Sequence, residues 1–427
     1  MLASRGPRAR RARPKIFMRS IKPIYQASIG VLFLLVLPGL HSLRAESGAR
    51  YIDPDPKTGT SRAVLVRNTP LAHTSGLMPV DQQGKPAGQG EPAAQVAQVL
   101  KRLSSVLATV HSSLDQLVKL NVYAADLAAV SAAQSAIAGR FKGAAKPAVM
   151  FVVGDLPSGV SVAMDGVALA PRFRDTTRVS RFHVPAVPGP PQAGQVAVLP
   201  PSGGFYVSGQ AAETRDSVRS ATFQTMENLQ ATLEHLGLNW DQVVQLRAFV
   251  NQASELATAE ATMLSFFKSG IAPAIVVAPC VSPSPVEIEM IAGSLPSPAG
   301  QNAGATIRHM SLPGVKPSPL YSKLVLQSGR ATLYTEGLRS RADVDPAAQI
   351  RDLFAQLGDL LKKGGSDFDH LVKATYFASD QNSSRLFNDI RPEFFHPERP
   401  PAASKRLVKG VGMENRSVIM DMIATSP

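Results

Sequence analysis

Three stretches of this chain carry the same landmarks in the same order, and a sequence written three times folds as copies of one unit packed on one another. The first landmark is a short apolar strand that ends in a small or polar residue and a glycine: LAHTSGLMPV (71–80), FYVSGQAAET (205–214) and LYTEGLRSRA (333–342). An amphipathic helix follows each. Apolar residues recur at spacings of three and four: Val96, Val99, Leu100, Leu103, Val106, Leu107, Val110 and Leu114 in the first copy, Phe223, Met226, Leu229, Leu233 and Leu236 in the second, Ile350, Leu353, Leu357, Leu360 and Leu361 in the third. Those spacings put them on one helical face, and Gly237 and Gly364 stand where C-terminal caps belong. An alternating strand comes next, LVKLNVYAAD (117–126), VVQLRAFVNQ (243–252) or LVKATYFASD (371–380), as expected of a sheet with one face buried. A second helical stretch (129–143, 254–268, 383–395), a proline-alanine pair (Pro147, Pro273, Pro401) and a closing strand (160–170, 286–294, 417–425) complete the copy.

The period of about 128 residues divides the chain into a leader, 1–45, and three units, 46–172, 173–298 and 299–427. A shared lead-in, VSRFHVPAVPG (179–189) and TIRHMSLPGVK (306–316), marks the later boundaries and places the Pro/Gly-rich stretch 185–204 inside the second unit.

A content of 44% hydrophobic and 18% charged residues excludes disorder over most of the chain. The net charge of +13 would suggest nucleic acid or an anionic membrane as partner if it belonged to the folded part. It does not: the first 45 residues hold nine Lys and Arg and no acid, leaving 13 − 9 = +4 for the rest. Behind that basic run, residues 27–40 form an apolar segment too short for a membrane span of about 20 residues and suited to the hydrophobic region of a signal peptide. We therefore expect cleavage after Ala45, with Met18 an alternative start, and an exported mature chain, periplasmic or secreted. It would meet a membrane only if the leader stays uncleaved. The single cysteine, Cys280, excludes an intramolecular disulfide and a cysteine-cluster metal site, and its apolar setting (AIVVAPCVS) points to packing. The histidines downstream of the leader (His73, His111, His183, His235, His309, His370, His396) show no metal-ligand spacing, and no GxSxG elbow, Walker loop or GxGxxG precedes a helix.

The closing strand VEIEMIA (286–292), the turn VSGQ (207–210), the VKLNVYAAD strand and the proline-alanine pair together resemble the RidA (YjgF, reactive-intermediate deaminase) family, and the resemblance covers all three repeats. It implies an α+β fold of three RidA-like (chorismate-mutase-like) units, each a mostly antiparallel sheet covered by two helices on one face. Family members are homotrimers with a ligand cleft at each subunit interface, so three fused units imply an intramolecular pseudo-trimer, a monomer in solution, with three clefts free to diverge.

In the family's deaminases, an arginine after the proline-alanine pair grips a substrate carboxylate and a glutamate on the last strand positions the attacking water. Carried over, the arginine position holds Val149, Ile275 and Ala403, with Lys405 and Arg406 close by in the third copy. The acid position holds Asp165, Glu289 and Asp421. By the same resemblance Ser75, Ser208 and Glu336 line the clefts, and Tyr321 loosely matches the family's lead-in tyrosine. The expected function is small-metabolite binding between repeats without standard 2-imino acid deaminase activity. An imine or enamine hydrolase that activates water through Glu289, Asp165 or Asp421 is the alternative, and an endoribonuclease a remote one. No cofactor, metal or nucleic-acid partner is implied.

Overall fold

Local chemistry at the helix starts sets the rhythm of each unit. The aspartate that ends the alternating strand caps the next helix: Asp126 accepts a hydrogen bond from the Ala129 amide and Asp380 from the Ser383 amide. The second copy has Gln252 in that place, with no side-chain cap, and a single 3-10 turn leads its helix instead. Ser217 and Asp345 cap the longer helices of the second and third copies. Gly237 (φ +68°) lies past the end of its helix as expected, but the third copy's left-handed cap is Gly365 (φ +72°) rather than Gly364. Gly364 is the last helical residue, pressed so close to Leu333 that a Cβ would sit 2.8 Å from a methyl carbon.

The computed structural model describes residues 48–88, 91–293, 306–312, 317–329 and 331–426; the leader assigned to 1–45 lies outside them. The first repeat contributes β1 (Gly48–Asp55), β2 (Thr60–Arg67), β3 (Leu71–Thr74), α1 (Pro92–Ala108), β4 (Leu117–Ala124), α2 (Leu127–Arg140), β5 (Ala148–Val153) and β6 (Val162–Leu169). The second contributes β7 (Ser180–Phe182), β8 (Val196–Leu199), β9 (Gly203–Gln210), α3 (Val218–His235), β10 (Val243–Val250), α4 (Leu256–Leu264), β11 (Ala274–Pro279) and β12 (Val286–Gly293). The third contributes β13 (Thr306–Met310), β14 (Leu324–Ser328), β15 (Ala331–Thr335), α5 (Pro346–Gly364), β16 (Leu371–Ala378), α6 (Gln381–Ile390), β17 (Ala402–Leu407) and β18 (Val418–Ala424).

These strands form three six-stranded sheets, β5-β4-β6-β3-β8-β7, β11-β10-β12-β9-β14-β13 and β17-β16-β18-β15-β2-β1. Only β4–β5, β10–β11 and β16–β17 run parallel, each pair joined through a helix. The expected units are present, but sheets and repeats are out of phase. Hairpin β7–β8 pairs with β3 and completes the first sheet, β13–β14 pairs with β9 and completes the second, and the N-terminal hairpin β1–β2 pairs with β15 to complete the third. The stretch 185–204, placed inside the second unit, thus carries a strand, residues 196–199, that pairs into the first unit's sheet. Burial marks the inner strands β2 and β8 but not the outer strands β1 and β7, and neither pattern names the receiving edge.

Each sheet buries one face under its two helices and the other against the remaining two sheets. Leu103, Leu107, Leu120 and Val122 belong to the first helix-side core. Two axial cores draw on all three sheets: one gathers Val118, Leu71 and Val167 with Tyr206, Val244 and Ile291 and with Val66, Tyr334 and Val372, and the other gathers Tyr123, Phe249 and Phe377. β4, β10 and β16 are buried along their full length, so their alternation separates two interiors rather than core from solvent. Burying each large apolar side chain stabilises this arrangement by ~1.5–3 kcal/mol.

Candidate functional site

Charged residues inside those fully buried strands have to find partners, and they do so along the pseudo-threefold axis. Lys119 on β4 donates to Asp421 Oδ1 at 2.6 Å and to the Thr335 carbonyl at 2.7 Å. Arg247 on β10 reaches Asp165 Oδ2 at 2.9 Å and Glu289 Oε1 at 3.1 Å, and Lys373 on β16 lies 2.9 Å from Glu289 Oε1. Asn121 Nδ2 donates to Asp165 at 2.9 Å and Ser404 Oγ to Glu289 Oε2 at 2.8 Å. Three cations and three carboxylates thus alternate around the axis. One pair crosses each junction: first to third through Lys119–Asp421, second to first through Arg247–Asp165, third to second through Lys373–Glu289.

Burial pushes the Glu289 carboxyl up, but Lys373, Arg247 and Ser404 together hold it below its ordinary value. Burial pulls the Lys119 ammonium down, opposed by Asp421. Just beside this layer His73 is buried, and burial plus Arg247 lowers its pKa to about 3, keeping the ring neutral. The three acids singled out in the sequence therefore stand in the ion-paired interior. Both oxygens of Glu289 are engaged, Oε1 by Arg247 and Lys373 and Oε2 by Ser404.

The clefts lie farther out, where the glycine closing each first strand meets the residue after the next proline-alanine pair. The Gly337 amide donates to the Val149 carbonyl at 3.0 Å and the Gly76 amide to the Ile275 carbonyl at 2.9 Å, while the Gly209 amide donates to Ser404 Oγ at 3.1 Å. Val149, Ile275 and Ser404, the neighbour of Ala403, thus stand at the three junctions.

The third–first cleft is open, a cavity of about 560 Å³. Its wall carries Glu336 with Arg339, apolar Val149 and Phe151, part of α2, and residues Asp53 to Arg62 of the N-terminal hairpin. Arg62 Nε donates to Glu336 Oε1 at 2.8 Å and its Nη2 to Gln356 Oε1 at 2.5 Å. Burial raises the Glu336 carboxyl above its ordinary value despite Arg62, and lowers Arg339, whose guanidinium lies 5.8 Å from the Phe151 ring centre.

The first–second cleft, with Ser75 and Ile275, retains about 40 Å³. The cause is loop length. β1 and β2 are joined by residues 56–59, whereas β7 and β8 are joined by 183–195, and Val187, Pro188, Ala193 and Gln195 of that longer connection stand in the cleft.

At the second–third junction a cavity of about 250 Å³ is lined by Arg215, Ser282, Ser284, Gln381, Ser384, Lys405 and Arg406. Ser208 is buried nearby on β9. Tyr321 packs against the third unit's core, with Lys323 Nζ 5.3 Å from its ring centre. Lys405 Nζ donates to the Ser384 carbonyl at 2.7 Å. Arg406 turns inward to pair with Glu287 and lies 5.9 Å from the Phe249 ring centre. Sequence reasoning passed over Glu287; the available signal was a second acid two residues from Glu289 on a strand due to be buried. Cys280 is buried as expected, and burial raises its thiol pKa. Among the described residues no group of three or more His, Cys, Asp or Glu could hold a metal, and no helix is long and apolar enough to cross a membrane.

Three α+β units closed around a common axis, with helices outside and a cleft at each junction, define a ring of the RidA type built from one chain. The chain belongs to the family described as Endoribonuclease L-PSP, the RidA (YjgF) family, which it matches three times, over residues 53–170, 191–294 and 316–426. It is 36% identical over 109 residues to Protein HMF1 of Saccharomyces cerevisiae (25% of this chain, 81% of the relative) and 31% identical over 115 residues to the mitochondrial Protein MMF1 of the same yeast (27% and 78%). Among solved structures it is similar to the Rid-family protein YyfB of Yersinia pestis, at 23% identity, covering 29% of this chain and 98% of that one, with a TM-score of 0.26.

Proposed function

We propose that this chain is a small-molecule binding protein of the RidA family, that its principal site is the third–first cleft, and that it lacks the standard 2-imino acid deaminase chemistry. The observation that carries the reading is the contrast between an open 560 Å³ cleft and the acids of the last strand, which are consumed in the axial ion pairs. Val149 offers the cleft no fork for a carboxylate. The wall instead mixes Lys57, Arg62 and Arg339 with Asp53, Asp55 and Glu336, beside the apolar surface of Val149, Phe151 and Ile137. Such a wall suits a ligand with both donor and acceptor groups and an apolar part. The balance of signs disfavours a polyanion, which weighs against RNA cleavage.

The test is a hydrolysis assay with 2-iminopropionate and 2-iminoacrylate on the full chain. We expect background rates; turnover that disappears in Glu289→Gln would replace this reading with the hydrolase one. The proposal includes a monomer in solution, checked by its mass on light scattering, and export, checked by N-terminal sequencing of secreted material, expected to start near Glu46.

A further inference from the structure

We infer that the cavity at the second–third junction is a phosphate-binding site, taking either the free ion or a phosphomonoester. It lies between the loop 282–284 of the second unit and α6 and β17 of the third, so it forms only where those units meet. Three cationic side chains, Arg215, Lys405 and Arg406, line it together with Ser282, Ser284 and Gln381, and no carboxylate does. Arg406 is 8% exposed, and its Nε has no hydrogen-bond partner among the described residues. Its one acidic partner, Glu287, engages Nη2 and neutralises a single positive charge. Two cations therefore remain at a cavity wall that holds no carboxylate, which matches a dianion. Hydroxyl and amide donors complete the set a tetrahedral oxyanion accepts from, and about 250 Å³ leaves room for a small substituent on the phosphate.

The neighbouring units carry no equivalent. The position of Lys405 is held by Phe151 in the first repeat and Val277 in the second, and that of Arg406 by Val152 and Ala278. Lys405 feels burial and Arg391 against Asp389, which together bring its pKa down to about 8. An anion placed against it would restore the proton. The site does not depend on the reading of the third–first cleft, and the two fail separately, because phosphate binding is read without that cleft's ligand.

Titration calorimetry of the full chain with inorganic phosphate and, in a second arm, methyl phosphate tests the inference. We expect saturable binding of one ion per chain, weakened about tenfold by Arg215→Gln and by Lys405→Met and unchanged by Lys101→Gln on the surface of α1. Both variants alter side chains outside the hydrophobic cores, and a thermal melt verifies that they fold. At pH 8.5 the binding heat should vary with the buffer's ionisation heat, because Lys405 takes up a proton, and this dependence should vanish in Lys405→Met. Tighter binding of methyl phosphate identifies a phosphomonoester as the ligand, and tighter binding of inorganic phosphate identifies the free ion. Absence of saturable binding in both arms, or binding that neither variant weakens, overturns the inference.

Discussion

The axial ring and the third–first cleft are built from the same side-chain types and do opposite things with them. On the axis, Arg247 is 9% exposed and its partner Asp165 not at all, so each charge is desolvated and held in the fold by its counter-charge. In the cleft, Arg62 and Glu336 meet at a similar distance but keep 21% and 24% of their side-chain surface, so water or a ligand can compete for both. An acid that recurs at one position in all three repeats is thus no sign of chemistry when that position faces an axis the repeats share. The pattern of exposure separates a carboxylate that shapes the ring from one that can meet a ligand.

The sharpest way to break the comparison is Arg247→Met. It strands the buried carboxylate of Asp165 and takes one of two cations from Glu289, which keeps Lys373, and should cost ~3–5 kcal/mol in urea unfolding. Adding Asp165→Asn should recover much of that loss, because Glu289 keeps Lys373. A cost below about 1 kcal/mol for the single change would mean the axis is as forgiving as the cleft.

Next in size is an acid effect from His73. Its folded pKa of about 3 lies below the unfolded value of 6.5, so the unfolded state binds the extra proton between those limits. Stability is complete above about pH 6.5 and falls by about 1.4 kcal/mol for each pH unit below it, until the folded pKa is reached. Glu289, also depressed in the fold, adds its own loss as pH falls below the ordinary carboxylate range. His73→Phe should flatten the melting-temperature profile between pH 6.5 and 5; an unaltered slope would assign the acid sensitivity elsewhere.

The smallest stability effect belongs to the cleft. Glu336→Gln removes a part-exposed pair and should change unfolding free energy by no more than ~1 kcal/mol, while altering which compounds from a small-metabolite screen raise the melting temperature. If it destabilised the chain as much as Arg247→Met, the two regions would be of one kind.

Most of the local structure was legible because it is set by short-range rules. The three-and-four spacing foretold α1, α3 and α5, although α1 stops at Ala108 and leaves Val110 and Leu114 buried in the turn that follows. The proline-alanine pairs begin β5, β11 and β17. The site was less legible. LVKLNVYA, VVQLRAFV and LVKATYFA each hide a lysine or an arginine in an apolar strand, which signals a buried counter-charge without naming it. The partners lie 82 residues away for Arg247–Asp165 and 302 for Lys119–Asp421, and no periodicity reports such pairings. Cleft volume was likewise out of reach, because it depends on how a hairpin connection packs against another unit.

The N-terminal hairpin makes the order of synthesis matter. β1 and β2 are the first described strands to be made, yet their edge, β15, begins 264 residues after β2 ends (331 − 67). The two sheets formed from residues 71–199 and 203–328 are each complete as soon as their own stretch exists, while the third waits for both ends of the chain. Loop closure over that distance costs only slowly more than over a short one, but it delays the contact. A chain that lost residues 48–67 would keep two finished sheets and present β15 as an open edge, a template for the hairpin of another copy. One short segment therefore decides whether three units end as a closed ring or as a link in a longer assembly.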